Sequence, residues 1–277
     1  FQTVDHFAEQ MEYPFDSSYR IDAGIRYVMD QINDSGHTCI PIEELMVSLS
    51  NLLGDDYIDT IVERLEYLLE ANIYHQEDYD DVIYIYQPKV YRAEVDSIDY
   101  TRQFLESDEE IHLDVESFCD TYESLYHMQL GEEQKKAIMM ALRERFSIIT
   151  GGPGTGKTTI IKALVAGYEQ ANLKRIVLCA PTGRAAKRLS EATAQEAFTI
   201  HRLLEPEAEG SRYVFTRNQD DPLEVDVVIV DESSMLNLEL YYSLIQAIPP
   251  EAHVVLVGDV DQLPPIGAGF ILRDMLE

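Results

Sequence analysis

Gly151-Gly152-Pro153-Gly154-Thr155-Gly156-Lys157-Thr158 spells G-x-x-x-x-G-K-T, a spacing suited to gripping phosphate. An apolar run, Phe146 to Ile149, precedes it, and a helix-like stretch from Thr159 to Gln170 follows. The glycines let the backbone turn tightly and aim several N–H groups inward, which makes an anion nest at a helix N-terminus. Lys157 can reach the β- and γ-phosphates as a point charge, and the Thr158 hydroxyl can take a place on Mg²⁺. The expected ligand is ATP with Mg²⁺, and its expected contacts are Gly152, Gly154, Thr155, Gly156, Lys157, Thr158 and Thr159.

About 75 residues downstream, Val227-Val228-Ile229-Val230 ends in Asp231-Glu232. Asp231 is placed to hold Mg²⁺ opposite Thr158, and Glu232 to orient and deprotonate an attacking water. A third segment, Gly258-Asp259-Val260-Asp261-Gln262-Leu263-Pro264-Pro265, follows another apolar run. Gln262 has the chemistry to sense a γ-phosphate, donating to phosphate and accepting from water; the plainer reading is a polar loop stiffened by two prolines. Lys157, Glu232 and Gln262 are thus the catalytic candidates. Arg184, Lys187 and Arg188, in Ala180-Pro181-Thr182-Gly183-Arg184-Ala185-Ala186-Lys187-Arg188, form the densest basic patch of the chain. Phosphates of single-stranded nucleic acid suit it, against the alternative of a solvated basic helix face. His201 and Arg202, in Thr199-Ile200-His201-Arg202-Leu203-Leu204, make a second candidate contact.

The elements that must position these groups alternate from Gly131 onward between helix and buried strand, the pattern of a parallel α/β sheet. Expected strands are Ser147–Thr150, Ile176–Ala180, Val225–Val230 and Val254–Val257, and every motif falls just after one of them. Ligands of such sheets sit at the carboxyl ends of the strands. The first half reads differently. Phe1, Val4, Phe7, Ala8 and Met11 recur at helical spacing until Pro14. Residues 20–90 read as a winged helix-turn-helix, with helices from Ile21 to Ile32, Pro41 to Leu53 and Tyr57 to Ala71. Strands Ile73–His75 and Val82–Tyr86 are expected to be joined by Gln76–Asp81. Residues 89–127 suggest two acid-rich connecting helices, with a domain boundary near 127–131.

Charge constrains the partners. The chain has a net charge of −30; residues 1–130 hold 6 Lys/Arg against 30 Asp/Glu, and the rest hold 15 against 21. Such a balance repels nucleic acid at long range, so DNA contact must come from local patches in the second half. The wing carries four carboxylates and no base, which suits protein contact better than phosphate. No run of 18 apolar residues exists and no secretory leader is visible, so a cytoplasmic location is expected. Cys39, Cys119 and Cys179 lack metal-site spacing and suggest reduced packing residues. A start at Phe1 suggests a processed or cut N-terminus.

In their order, these motifs make the chain similar to superfamily 1 helicases of the RecD-like group, which move 5′ to 3′ along single-stranded DNA. The resemblance covers residues 130–269, and more loosely 1–127. It implies that Gln134, in Leu130-Gly131-Glu132-Glu133-Gln134, reads adenine, and that Thr182, Arg184, Lys187, Arg188, His201 and Arg202 bind DNA. The implied organisation is a helix-hairpin-helix remnant at 1–17, a winged helix-turn-helix at 18–90, connecting helices at 91–130 and a RecA-like P-loop domain at 131–277. A small insertion is expected at about 205–222, near a strand-separating pin. Helicases of this class use a second RecA-like domain that supplies an arginine worth about 10³–10⁵ in rate. The chain stops at Glu277, so slow hydrolysis without that partner domain is expected. The subunit of a RecBCD nuclease and the helicase part of a conjugative relaxase are neighbouring possibilities. From a different class, a nucleotide-dependent switch or assembly protein with an acidic partner-binding half fits the same P-loop.

Overall fold

The computed structural model describes residues 1–10, 14–106, 111, 113–209 and 212–277. The chain forms two compact units, Phe1–Glu94 with Ile266–Gly269, and Val95–Pro265 with Phe270–Glu277.

The first unit opens with α1 (Gln2–Gln10) and α2 (Ser18–Asp34), followed by β1 (Cys39–Pro41), α3 (Ile42–Leu53) and α4 (Ile58–Glu70). Strands β2 (His75–Tyr79) and β3 (Val82–Tyr86) then complete an antiparallel sheet of order β1-β3-β2. This is the arrangement of a winged helix-turn-helix. Apolar residues at helical spacing (Ile21, Ile25, Val28 and Met29 on α2; Ile61, Leu65 and Leu68 on α4) converge with Leu45, Leu49 and Ile85 in one core. Arg20 clamps α1 to α2 through a two-pronged pair with Asp5, Nε to Oδ1 at 2.6 Å and Nη2 to Oδ2 at 2.9 Å. Met11 lies outside the described residues.

The wing differs from the sequence expectation. The strand runs on to Tyr79 and pairs with Val82, leaving only Asp80 and Asp81 as the turn, with φ of 51° and 63°. Two residues at positive φ match the twist of a tight hairpin, and aspartate tolerates that conformation. The acids hid the strand. Glu77 is not a loop residue but accepts from Tyr91 Oη at 2.5 Å and bonds His75 Nε2 at 2.8 Å.

Helix α5 (Pro88–Leu105) leads into the second unit, where α6 (Val115–Tyr126) and α7 (Glu132–Arg143) precede β4 (Phe146–Thr150). There follow α8 (Lys157–Gln170), β5 (Ile176–Ala180), α9 (Gly183–Thr193), β6 (Ala197–Thr199) and α10 (Ile200–Leu203). The small hairpin β7 (Pro206–Glu209) and β8 (Arg212–Phe215) comes next, then β9 (Val227–Val230), α11 (Leu238–Ile245), β10 (His253–Gly258) and α12 (Ile271–Asp274). The sheet is wholly parallel with order β4-β10-β9-β5-β6, so the fold is α/β. All residues of β9 and β10 are buried, as expected of strands covered on both faces.

The unit boundary falls at 94/95, upstream of the 127–131 expected from sequence. Glu116 and Asp120 of α6 face water, but Glu123 pairs with Lys135, and Val115, Phe118, Cys119 and Tyr122 join the same core as Ile161, Leu164 and Ile229. On α5, Thr101 Oγ1 lies 2.6 Å from Tyr241 Oη of α11. Among the described residues, no helix is long and apolar enough to cross a membrane.

The lower edge of the sheet is locked by Asp226. Its Oδ2 accepts from the backbone N–H groups of Lys174 and Arg175, both at 2.9 Å, and its Oδ1 accepts from Arg175 Nε at 2.9 Å. The hydrogen bond from Arg175 is the main cause that holds the Asp226 carboxyl below its ordinary value. A depressed folded value means stability that is complete above the unfolded value of about 4 and disappears as pH falls through the folded one. Asp226→Asn should therefore lower unfolding free energy by about 1–3 kcal/mol at neutral pH, in urea titrations, and the difference should vanish at strongly acid pH. An equal loss at both pH values would contradict this.

Candidate functional site

At the upper edge, β4 ends in Thr150 and the chain turns through Gly151–Gly156 into α8. Gly154 and Gly156 adopt φ of +79° and +86°, a region open to glycine and costly for side chains. Side chains at Gly152 or Gly154 would meet nothing within 4 Å, so the face of the loop is an open cradle. Lys157 Nζ donates to the Gly151 and Gly152 carbonyls at 2.5 and 3.1 Å, which places its charge at the mouth of that cradle. Thr155 Oγ1 donates to Gly152 O at 2.9 Å and braces the turn from within. Thr158 and Thr159 occupy the first turn of α8.

Gln134 has a different setting from the adenine reader implied by resemblance. Its Oε1 accepts from Gly131 N at 2.9 Å, capping α7, and its Nε2 donates to Thr155 O at 2.9 Å. The amide ties the start of α7 to the P-loop backbone. One Nε2 hydrogen and one Oε1 lone pair are left over for a base.

The strand order brings the other two motifs beside the loop. β10 lies next to β4, and Gly151 N donates to Gly258 O at 3.2 Å. Beyond β10, the chain enters a loop anchored by Asp259, which is 2% exposed. Asp259 Oδ1 accepts from Asp261 N at 3.1 Å and Oδ2 from Gln262 Nε2 at 3.2 Å. Gln262 is thus tethered one strand away from the P-loop. Asp259 is a functional anchor that motif reading passed over, although it stands in the same segment.

β9 lies on the far side of β10, and Asp231 and Glu232 follow it. Burial pushes the Asp231 carboxyl up from its ordinary value, and the charge of Glu232 adds to the rise. The Glu232 backbone N–H and the Lys157 ammonium act the other way. A cation would relieve this carboxylate. Glu232 takes a left-handed backbone conformation, φ 54°, and opens a 3₁₀ turn at Ser233–Met235. Its Oε2 is buried with no hydrogen-bond partner, as are the Ser233 and Ser234 hydroxyls. Among the described residues no group of three or more His, Cys, Asp and Glu stands ready for a metal. A cation here would rest on Asp231, Thr158 and the oxygens of its own ligand. The open cradle and the unpartnered carboxylate oxygen fit MgATP.

The basic candidates gather elsewhere on the same edge, after β5 and β6. Thr182 caps α9 by accepting from Ala185 N at 3.3 Å, so its hydroxyl has a structural task and keeps its proton and one lone pair for a further partner. On α9, Ala185, Ala186 and Leu189 are buried while Arg184, Lys187 and Arg188 face water. Lys187 sits 3.9 Å from Glu191, and Arg184 and Arg188 make no ion pair among the described residues. The His201 ring meets Phe215 edge-on at 5.8 Å, and the Arg202 guanidinium lies 5.0 Å over Phe198. With strands about 4.8 Å apart, β5 and β6 stand roughly 14 and 19 Å from β4. The sheet therefore brings the nucleotide set together and the basic set together, side by side.

Two family models match this chain: an AAA domain at residues 134–268, and the HHH domain of the ATP-dependent RecD2 DNA helicase at residues 1–39. The chain is similar to the ATP-dependent RecD2 DNA helicase of Deinococcus radiodurans, 47% identical over 143 residues, covering 52% of this chain and 19% of that protein. It is also similar to the RecBCD enzyme subunit RecD of Mycolicibacterium smegmatis, 42% identical over 168 residues, covering 53% and 30%. An uncharacterized protein of Methanocaldococcus jannaschii is 27% identical across 94% of this chain and 25% of its own length. The chain thus spans 19 to 30% of the length of these relatives.

A methyl group at Gly156 would stand 2.3 Å from Gln134 Nε2 at a φ that side chains resist. Gly156→Ala should weaken binding of a fluorescent ATP analogue by about tenfold or more while the chain still melts cooperatively. Unchanged affinity would refute the tie between Gln134 and the loop.

Proposed function

We propose that the chain belongs to the RecD-like helicases and is the ATP-binding part of a DNA helicase that moves 5′ to 3′ along single-stranded DNA. The observation that carries this is the meeting of the P-loop, Asp231-Glu232 and the Asp259-anchored Gln262 on three adjacent strand ends, β4, β9 and β10. The residue range proposed for the ATPase domain is 131–277, with the winged helix-turn-helix at 18–90.

When bound, MgATP supplies the phosphoryl group and the metal charge that this geometry is shaped to receive. Lys157 exchanges its loop carbonyls for the β- and γ-phosphates, and the P-loop N–H groups hold the same oxygens. Thr158 and Asp231 would hold the Mg²⁺. Glu232, whose Oε2 has no competing hydrogen bond, accepts the proton of the attacking water. Gln262, steadied by Asp259, orients that water against the phosphate. Arg184, Lys187 and Arg188 take phosphates of the single strand, with His201 and Arg202 one strand further along. The exposed face of α4 carries Asp59, Glu63, Glu66 and Glu70, so the first unit is proposed to meet a protein partner rather than DNA.

The test uses the whole protein that contains this chain, with MgATP and duplexes bearing a 5′ or a 3′ single-stranded tail. Unwinding should occur only with the 5′ tail and disappear in Lys157→Ala. Glu232→Gln should keep nucleotide binding and lower turnover by about 100-fold or more. Arg184, Lys187 and Arg188 changed together to Ala should abolish stimulation of ATPase by single-stranded DNA. ATPase indifferent to DNA, with no unwinding of either duplex, would sink the helicase reading.

A further inference from the structure

At the foot of the β7–β8 hairpin lies a groove of about 450 Å³ lined by His201, Pro206, Phe215, Asn237, Glu239 and Leu240. Of these only His201 has a place in the function proposed above. The groove is built rather than incidental. Pro206 and Phe215 are register partners at the open end of the hairpin, away from its turn. That end is fastened by two bonds from Thr216, its N–H at 3.1 Å and its Oγ1 at 2.5 Å, to the Glu205 carbonyl. Arg217 reinforces the fastening, pairing with Glu205 and Asp221 at 3.2 Å each. On the opposite wall, Asn237 Oδ1 caps α11 by accepting from Leu240 N at 2.9 Å. The walls are therefore rigid, with aromatic surface at His201 and Phe215 on one side and the aliphatic Leu240 on the other.

Two charges flank it, and they differ in sign. Ala180 and Thr199 are register partners on β5 and β6, so Thr182 at the head of basic α9 and His201 at the groove each lie two residues beyond paired positions. Cations on α9 thus stand one strand from the groove. Inside it, the Glu239 carboxylate makes no hydrogen bond or ion pair among the described residues. A carboxylate repels phosphate but accepts well from an amine.

We propose that this groove holds one unpaired nucleobase of the strand whose phosphates lie along α9, stacked on Phe215 and read at an exocyclic amine by Glu239. The inference rests on the DNA-binding reading above and adds a base site with a preference. Stacking alone would accept any base, because each has a π-face. Glu239 favours cytosine, adenine and guanine, which carry an exocyclic amine, over thymine, which has none.

The chain contains no tryptophan, so Phe215→Trp installs a sole indole in the groove. The 277-residue chain, at low salt, is titrated with end-labelled oligo-dC, oligo-dT and an abasic oligomer of equal length, reading anisotropy and indole fluorescence together. Oligo-dC should bind and quench the indole, whereas the abasic strand should bind without quenching. Phe215→Ala should weaken oligo-dC by about 5- to 100-fold and leave the abasic strand unchanged. Glu239→Gln, on an exposed position, should erase a several-fold preference for oligo-dC over oligo-dT. Binding of oligo-dC without quenching, together with unaltered affinity in Phe215→Ala, overturns the base site and leaves the DNA reading standing. Failure of every oligomer to bind the unaltered chain overturns both.

Discussion

The geometry of the nucleotide site depends on β10 reaching its end without a side chain. All six residues of this strand are buried between β4 and β9, and the last of them is Gly258. A methyl group there would stand 2.6 Å from both Ser233 Oγ and Leu272 Cδ2, and 3.0 Å from Ser234 N. The 3₁₀ turn after β9 can therefore seat on the strand end, and Glu232 opens that turn. The Gly258 carbonyl meanwhile receives the N–H of Gly151. One absent side chain lets two loops from either side close on a common point. The constraint is one of close approach, since the sheet has no slack in which to absorb a displaced turn.

Electrostatics divides the molecule in a way that composition reports only as an average. Most of the net negative charge is in residues 1–130, and there it lies on faces such as the exposed side of α4. A winged helix usually offers that helix to a DNA groove, but here phosphate would meet four carboxylates. The cations of α9 are held outward because the opposite face of the helix is alanine and leucine, buried on the sheet. A helix with a strongly two-sided character holds its charges outward without any need for ion pairs. The acidic total and a local phosphate-binding surface are thus compatible.

The buried strands were legible because runs of Val, Ile and Leu between polar loops have few other meanings, and their carboxyl ends carried the motifs. What escaped was whatever depends on a partner distant in sequence. β6 is three residues long, and only its pairing with β5 makes it a strand. The wing looked like a loop because Glu77 and Asp78 mask a strand whose register is set by Val82–Tyr86. Helix α6 read as a solvated connector, since nothing local distinguishes Phe118 and Tyr122 from surface aromatics until the core that receives them is known. In the site, residue types left the bonding unread. Gln134 braces the P-loop, Thr182 caps a helix and Gln262 leans on a buried aspartate. The contact between Phe215 and His201 likewise needed the fold.

The same sheet that separates the two sets of residues also joins them through one strand pair. Asp231 N donates to Cys179 O at 2.9 Å, so the carboxylate proposed to hold the cation is hung on β5 by its own backbone. Three residues further, β5 delivers Thr182, whose hydroxyl caps the helix that carries Arg184, Lys187 and Arg188. Cys179 and Ala180 between them are fully buried, and rotamer freedom there is nil or nearly so. A displacement of Asp231 along the strand therefore meets a short, stiff connection to the start of α9. Coupling between two sites requires an element that both of them bias. In this fold the β9–β5 pair is one such element, and α8, which begins at Lys157 and packs against α9, is a second. The order β4-β10-β9-β5-β6 thus fixes how far apart the two chemistries lie along the sheet.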